Sequence, residues 1–256
     1  MTKRKKFVIT SLILSLGFVG IQYLENPYRF VAIGVLGLAT LGLFFWSLFE
    51  GLGKNATLLT LILPAAFTVG VGIFWFLLPT SIFARLPVVI FYGIGIYVLC
   101  LTTNIFTVGA IRTIALLRAA RGVGFVLTLV TFFLVFDAII SLRTSLPLTA
   151  LGVTLVSFPL FLQGLWSASL ESRLEKEILT SSAISSLVVG ETALALYFWP
   201  VTVVVGSLFL TISVYMLLGL GQAKIEGRLF PQTVREYFIV GLLVFVGMFI
   251  ATRWGA

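Results

Sequence analysis

The chain reads as an all-α polytopic membrane protein: a bundle of about nine transmembrane helices, N-terminus in the cytoplasm and C-terminus outside. Three observations carry that reading. Of its 256 residues 60% are hydrophobic and only 10% are charged, with a mean hydropathy of +1.17, whereas a soluble domain carries about 25% charged residues. Apolar runs approaching the ~20 residues that a bilayer requires recur from end to end. The basic residues fall between those runs and concentrate on alternate sides, as membrane orientation demands. No polar block is long enough for a soluble domain, so 1–256 is expected to form a single transmembrane domain.

In order, the expected spans are Phe7–Leu24, Arg29–Phe49, Ala56–Leu78, Leu86–Ala110, Gly122–Leu142, Pro147–Trp166, Ile178–Trp199, Val201–Leu220 and Tyr237–Thr252. The first follows Lys3, Arg4, Lys5 and Lys6. A basic start before an apolar run is also the pattern of a secretory signal, but no A-x-A-like cleavage site precedes Glu25-Asn26-Pro27, so the helix is expected to be retained. Pro27, Pro79, Pro147 and Pro200 fall at or near span ends, where helices break. Pro87 is expected in a first helical turn, where a missing N–H costs nothing. Pro64 and Pro159 lie inside spans and predict kinks.

With the N-terminus inside, thirteen basic residues are cytoplasmic, from Lys3 through Lys54, Arg112, Arg118, Arg121, Arg173, Lys176, Lys224 and Arg228 to Arg235. Four are outside: Arg29, Arg85, Arg143 and Arg253. Together they account for all 17, and the bias sets the orientation. Trp46 and Trp166 then fall near the inner boundary, and Trp75, Trp199 and Trp254 near the outer one, where indoles favour the interface. The composition points to the cytoplasmic membrane of a prokaryote.

Ile178–Trp199 stands out. It carries Ser181, Ser182, Ser185, Ser186, Thr192 and a carboxylate, Glu191. A charge at the centre of a membrane costs ~2.5–3.5 kcal/mol on insertion scales. Ser182, Ser186 and Gly190 recur every fourth position, a small-residue stripe on which another helix packs closely. The other hydroxyls fall on a different face, so this helix is expected to lie at the centre of the bundle.

Asp137 is the second carboxylate within a span. At ~1.5 Å per residue it lies at the same depth as Glu191, ~20 Å from the inner boundary. A shared pocket would form a proton or cation site, because burial and mutual repulsion both favour the protonated form. The alternative is that each is neutralised separately, Asp137 by Ser141 or by Arg143 reaching down from the outer end. Asn104 and Gln163 form a second polar layer near the inner headgroups, where amides hydrogen-bond across helices. Arg112, Arg118 and Arg121, in Ile111–Arg121, suit a short basic helix on the cytoplasmic surface. It would meet anionic lipid or a partner, or serve only as a topology determinant. Gly221–Glu236 is the longest expected loop, and Glu171–Glu177 a solvated charged cap.

Several functions are disfavoured. The chain has no histidine, which removes His-based triads and His-ligated zinc or haem. Cys100 is the one cysteine, so no disulfide framework or Cys-based metal site forms. Clustered aspartates for Mg²⁺ are missing, and a single aspartate cannot make an aspartyl protease. No metal, cofactor or nucleic acid is expected. The partners are the lipid bilayer and, in one reading, other membrane subunits or further copies. The function expected is transport of a small solute or ion, or the membrane subunit of such a system, with a non-catalytic scaffold subunit as the alternative; enzymatic activity is the weaker option.

The threading is testable. A reporter fused after Ala256 is expected to report an outside location, and one inserted near Lys224 a cytoplasmic one; a cytoplasmic signal at both would remove one span.

Overall fold

Hydrocarbon offers no water to unpaired peptide groups, so each segment that crosses it has to satisfy its own backbone, which a helix does. The computed structural model describes residues 2–252 apart from 22, 25, 50–51, 53–55, 79–81, 109–113 and 172. The described residues hold nine α-helices and no strand. They are α1 (Lys3–Ile21), α2 (Asn26–Leu48), α3 (Ile62–Leu77), α4 (Ile82–Val108), α5 (Ile114–Ser141), α6 (Leu146–Ser169), α7 (Lys176–Tyr197), α8 (Val203–Ile225) and α9 (Pro231–Ala251), with a 3₁₀ turn over Ala56–Leu61.

Among the described residues eight helices, all but α1, are long and apolar enough to cross a membrane. This differs from the nine spans expected, because the four basic residues at the start of α1 dilute its apolar stretch. Yet α1 lies antiparallel along α2. Lys6 sits 5.6 Å over the Trp46 ring near the end of α2, and a Cβ on Gly17 would press on Leu36.

The helices group into two compact units, Met1–Thr131 and Phe132–Ala256. In the first, α1 to α4 form a ring in which each helix packs on the next and α4 returns to α1. Aromatic rings fill it: Phe18 meets Trp75 edge-on at 4.9 Å and stacks on Tyr92 at 5.0 Å. Thr68 is the polar hub. Its hydroxyl donates to the Pro64 carbonyl at 2.9 Å and accepts from Thr40 at 3.0 Å. With Tyr92 donating at 3.1 Å, three buried hydroxyls from three helices satisfy one another.

In the second unit α6, α7 and α8 pack in a triangle, the α6–α7 hairpin most tightly, and α9 lies against α8. Ser182, Ser186 and Gly190 are all buried. A Cβ on Gly190 would collide with the Thr154 hydroxyl and stand 3.5 Å from the Ala150 carbonyl, both on α6. α9 buries Met248 alone.

Several expectations are corrected. Helices run past the apolar stretches, because polar residues continue a helix once it has left the hydrocarbon. Hence Ile111–Arg121 is no separate surface helix: from Ile114 it is the start of α5. Likewise only 226–230 separates α8 from α9, not the whole of Gly221–Glu236. Pro87 is six residues into α4, past the first turn, and leaves the Phe83 carbonyl without its helical donor. Pro64 sits in the first turn of α3, just after the 3₁₀ turn, so the helix changes type there instead of kinking. α6 is continuous through Pro159. Trp75 and Trp166 are buried within the protein; the Trp166 indole donates to the Glu171 carbonyl at 2.9 Å, which gives its N–H a partner there. Lys54, Arg112, Arg253 and Trp254 lie outside the described residues.

At the α6–α7 connection Glu175 titrates above the ordinary glutamate range. The main cause is the like charge of Glu171, followed by a hydrogen bond with it, some desolvation and the charge of Glu177. A raised folded-state value in an acid means repulsion that weakens the fold once pH rises through that value, and that disappears on acidification below the ordinary range.

Two outcomes are expected from this packing. Gly190→Leu or Ser186→Leu destabilises the protein in detergent by ~1–3 kcal/mol or more, the scale of core overpacking, whereas Leu194→Phe costs less; equal melting of the three would place the stripe against lipid. Carboxyl NMR of Glu175 shows its titration falling toward the ordinary range in Glu171→Gln, and that variant is more stable than wild type at neutral pH but not below pH ~4.

Candidate functional site

The most enclosed segment is in α5, not α7. From Thr131 to Ala138 every residue is buried except Phe133, which is half-buried, so at most a narrow face is left to lipid. Phe132 packs on Phe161 of α6 at 5.3 Å. Asp137 is 4% exposed and lies four residues before the end of α5, ~6 Å at the helical rise. It makes a side-chain hydrogen bond with Ser207 of α8. Its Oδ1 is buried without a hydrogen-bond partner. Neither Ser141 nor Arg143, the partners weighed from the sequence, takes that role.

Glu191 is elsewhere. It is exposed, on the stripe of α7 that also carries Ile184, Leu187, Val188 and Ala195. The expectation of two buried carboxylates in one pocket is therefore corrected at Glu191: Asp137 is buried and Glu191 is exposed. The central placement of α7 fails for the same reason. Its hydroxyls do not require helices all round it: Thr192 donates to the Val188 carbonyl of its own helix at 2.7 Å. A hydroxyl bonded back to its own helix needs no neighbouring helix.

Above Asp137 the helix ends part around a cavity of about 700 Å³. Ile140, one turn beyond Asp137, lines it, and so do Gly206 and Leu210, which bracket Ser207. The wall of the cavity is thus one helical turn from the carboxyl group. Arg143 and the Thr144, Thr149 and Thr202 hydroxyls stand at the same end of the unit. Arg143 is held in the left-handed region (φ 47°) where α5 stops. Thr202 caps α8, accepting from the Val205 N–H at 3.4 Å, a role legible in advance from a threonine before an apolar run. No local pattern signals the cavity itself, which is made by four helix ends from separate stretches of the chain.

Of the second polar layer, Gln163 is 2% exposed and its Oε1 has no hydrogen-bond partner. Its neighbour Gly164 accepts from Gln222 Nε2 of α8 at 2.9 Å. Ser157, between Gln163 and the cavity end of α6, is likewise buried with an unpartnered hydroxyl. Asn104, in the first unit, is half-buried. Arg118 is exposed and Arg121 half-buried on the first turns of α5. Among the described residues no three His, Cys, Asp or Glu side chains gather as metal ligands.

Residues 51–251 match the model of a family described as "Protein of unknown function (DUF5656)". No curated protein and no solved structure matches the chain.

Proposed function

The chain belongs to the DUF5656 family, and we propose that it is a transporter of a small solute or ion, with Asp137 as its proton or cation site. The observation that carries this reading is the buried carboxyl group one turn below an open cavity, one of its oxygens without a partner. Ionisable residues inside a membrane are expensive and mark proton relays and ion paths. The local hydrogen bonds serve both states of the group. The single hydroxyl hydrogen of Ser207 turns between the Val203 carbonyl, at 2.8 Å, and the Asp137 carboxyl, so Ser207 donates to the ionised carboxylate and accepts from the protonated one.

Ser157 and Gln163 continue the series toward the opposite end of α6. Each presents a buried, unpartnered polar atom, and such atoms in native proteins call for ordered water or a ligand. In the orientation expected from the basic residues, this path leads from an outer vestibule toward the cytoplasm. Arg118 and Arg121 then anchor α5 at the inner headgroups, each worth about 1 kcal/mol near an anionic surface.

Glu191 favours a second reading, a scaffold or assembly subunit. A carboxylate on a stripe of Ile184, Leu187 and Val188 is costly against lipid, and a neighbouring subunit that donates to it would relieve the cost.

Proton flux into liposomes holding the purified protein, read with an internal pH dye under an imposed potential, separates the two. The transport reading expects Asp137→Asn to reduce flux to the level of empty liposomes and Glu191→Gln to leave it unchanged. Wild-type flux no greater than that of empty liposomes, or full activity in Asp137→Asn, overturns it. Loss of co-purifying subunits in Glu191→Leu would support the scaffold instead.

A further inference from the structure

We propose that the cavity at the α5–α6 end of the second unit is a binding site for an anionic amphiphile: one carboxylate or phosphate group at the rim, and an apolar body in the depth. The proposal rests on the transport reading only for the place of the site, since binding there does not require Asp137.

The polarity of the walls is graded. The rim carries Arg143, Thr144, Thr149 and Thr202. Below it the lining turns apolar, with Ile140, Ala193, Leu196 and Leu210. Leu210 is seven residues into α8, so the depth is ~10 Å at the helical rise. A volume of about 700 Å³ falls within the range of small-molecule sites, which join an apolar body to a few placed polar groups.

The sign of the ligand follows from Arg143. Among the lining residues it alone is charged, and the described residues offer it no ion pair. Guanidinium is the group suited to bidentate capture of carboxylate and phosphate. The left-handed turn that ends α5 fixes its backbone at the mouth, where Arg143 N–H donates to the Ile140 carbonyl at 3.1 Å. Next to it the Thr144 and Thr149 hydroxyls lie 3.0 Å apart. They share one hydrogen, and the remaining one has only the Ser145 carbonyl at 3.3 Å, so it is available to an anion. Trp199 presents its ring to the cavity without an unsatisfied N–H, because its indole donates to Thr252 at 2.7 Å. A cationic ligand would face the Arg143 charge and find no carboxylate among the described lining residues.

A free amphipathic acid and the headgroup of an anionic lipid have this chemistry in common, and the test separates them. Purified protein in phosphatidylcholine nanodiscs is titrated with radiolabelled decanoate, and separately placed in discs containing spin-labelled phosphatidylglycerol. Saturable decanoate binding identifies a free acid, and an immobilised phosphatidylglycerol population identifies a lipid. Either signal is expected to fall roughly tenfold or more in Arg143→Gln, the scale of a lost charge-assisted contact, and to persist in Arg143→Lys. Ala193→Leu, which fills the apolar depth but leaves the rim intact, should weaken binding too. An unchanged melting temperature without ligand confirms that each variant is folded. Asp137→Asn is expected to keep binding while losing proton flux, so failure of the transport reading leaves this site standing. Binding in neither arm, insensitivity to Arg143→Gln, or equal binding of decyltrimethylammonium overturns the proposal.

Discussion

A polar group inside the hydrocarbon has to find its partner within the protein, and that constraint organises both units. It is why the described segments are helices, and why the hydroxyl residues scattered through them are tolerated. Ser182, Thr128, Thr131, Thr211 and many like them donate to the carbonyl four residues earlier in their own helix. Where a hydroxyl does more, it builds structure: Thr68 joins three helices through Thr40 and Tyr92. The buried polar atoms that escape this rule are few, and among the described residues of the second unit they are Asp137 Oδ1, Ser157 Oγ and Gln163 Oε1. Against a background in which almost every donor and acceptor is matched, three unmatched atoms in the interior of one unit carry weight.

Close packing and openness coexist within that unit. The α6–α7 hairpin is tight because Gly190 presents bare backbone to Thr154 and Ala150. The cavity beside it opens where α5 ends in a left-handed residue and α8 begins at a capped threonine. Helix termini leave several backbone groups unpaired, so polar side chains gather there. That is the physical reason that the rim is polar while the depth, walled by helix interiors, is apolar.

Much of the fold was legible in the sequence, because length and apolarity are what a bilayer selects. The positions of the small-residue stripe and of Asp137 could be read too; the burial of Ser182, Ser186 and Gly190 follows from their fourfold spacing. The face of Glu191 could not. Serines and threonines recur all around α7, and a hydroxyl satisfied by its own backbone gives no direction: Ser185 is buried, whereas Thr192, bonded back to the Val188 carbonyl, stands half-buried beside the exposed Glu191. The contacts of Trp75 and Trp166 could not be read either: Phe18 and Arg85 enclose the one, and the Glu171 carbonyl accepts from the other. The cavity depends on the mutual placement of four helix ends, which no local pattern records.

The slight burial of α9 has a consequence for how the chain is assembled. This helix touches α8 through close approaches such as Gly219 to Tyr237 and Gly241 to Met216, yet nearly all its surface is left outside the protein. Its crossing of the membrane is therefore set by partitioning of its apolar residues into lipid, and its docking is a separate event in the plane of the bilayer. Insertion and folding are thus uncoupled at this end of the chain. α9 can enter the membrane as an autonomous segment and find α8 afterwards, whereas the enclosed end of α5 reaches its final surroundings only when its neighbours are already in place.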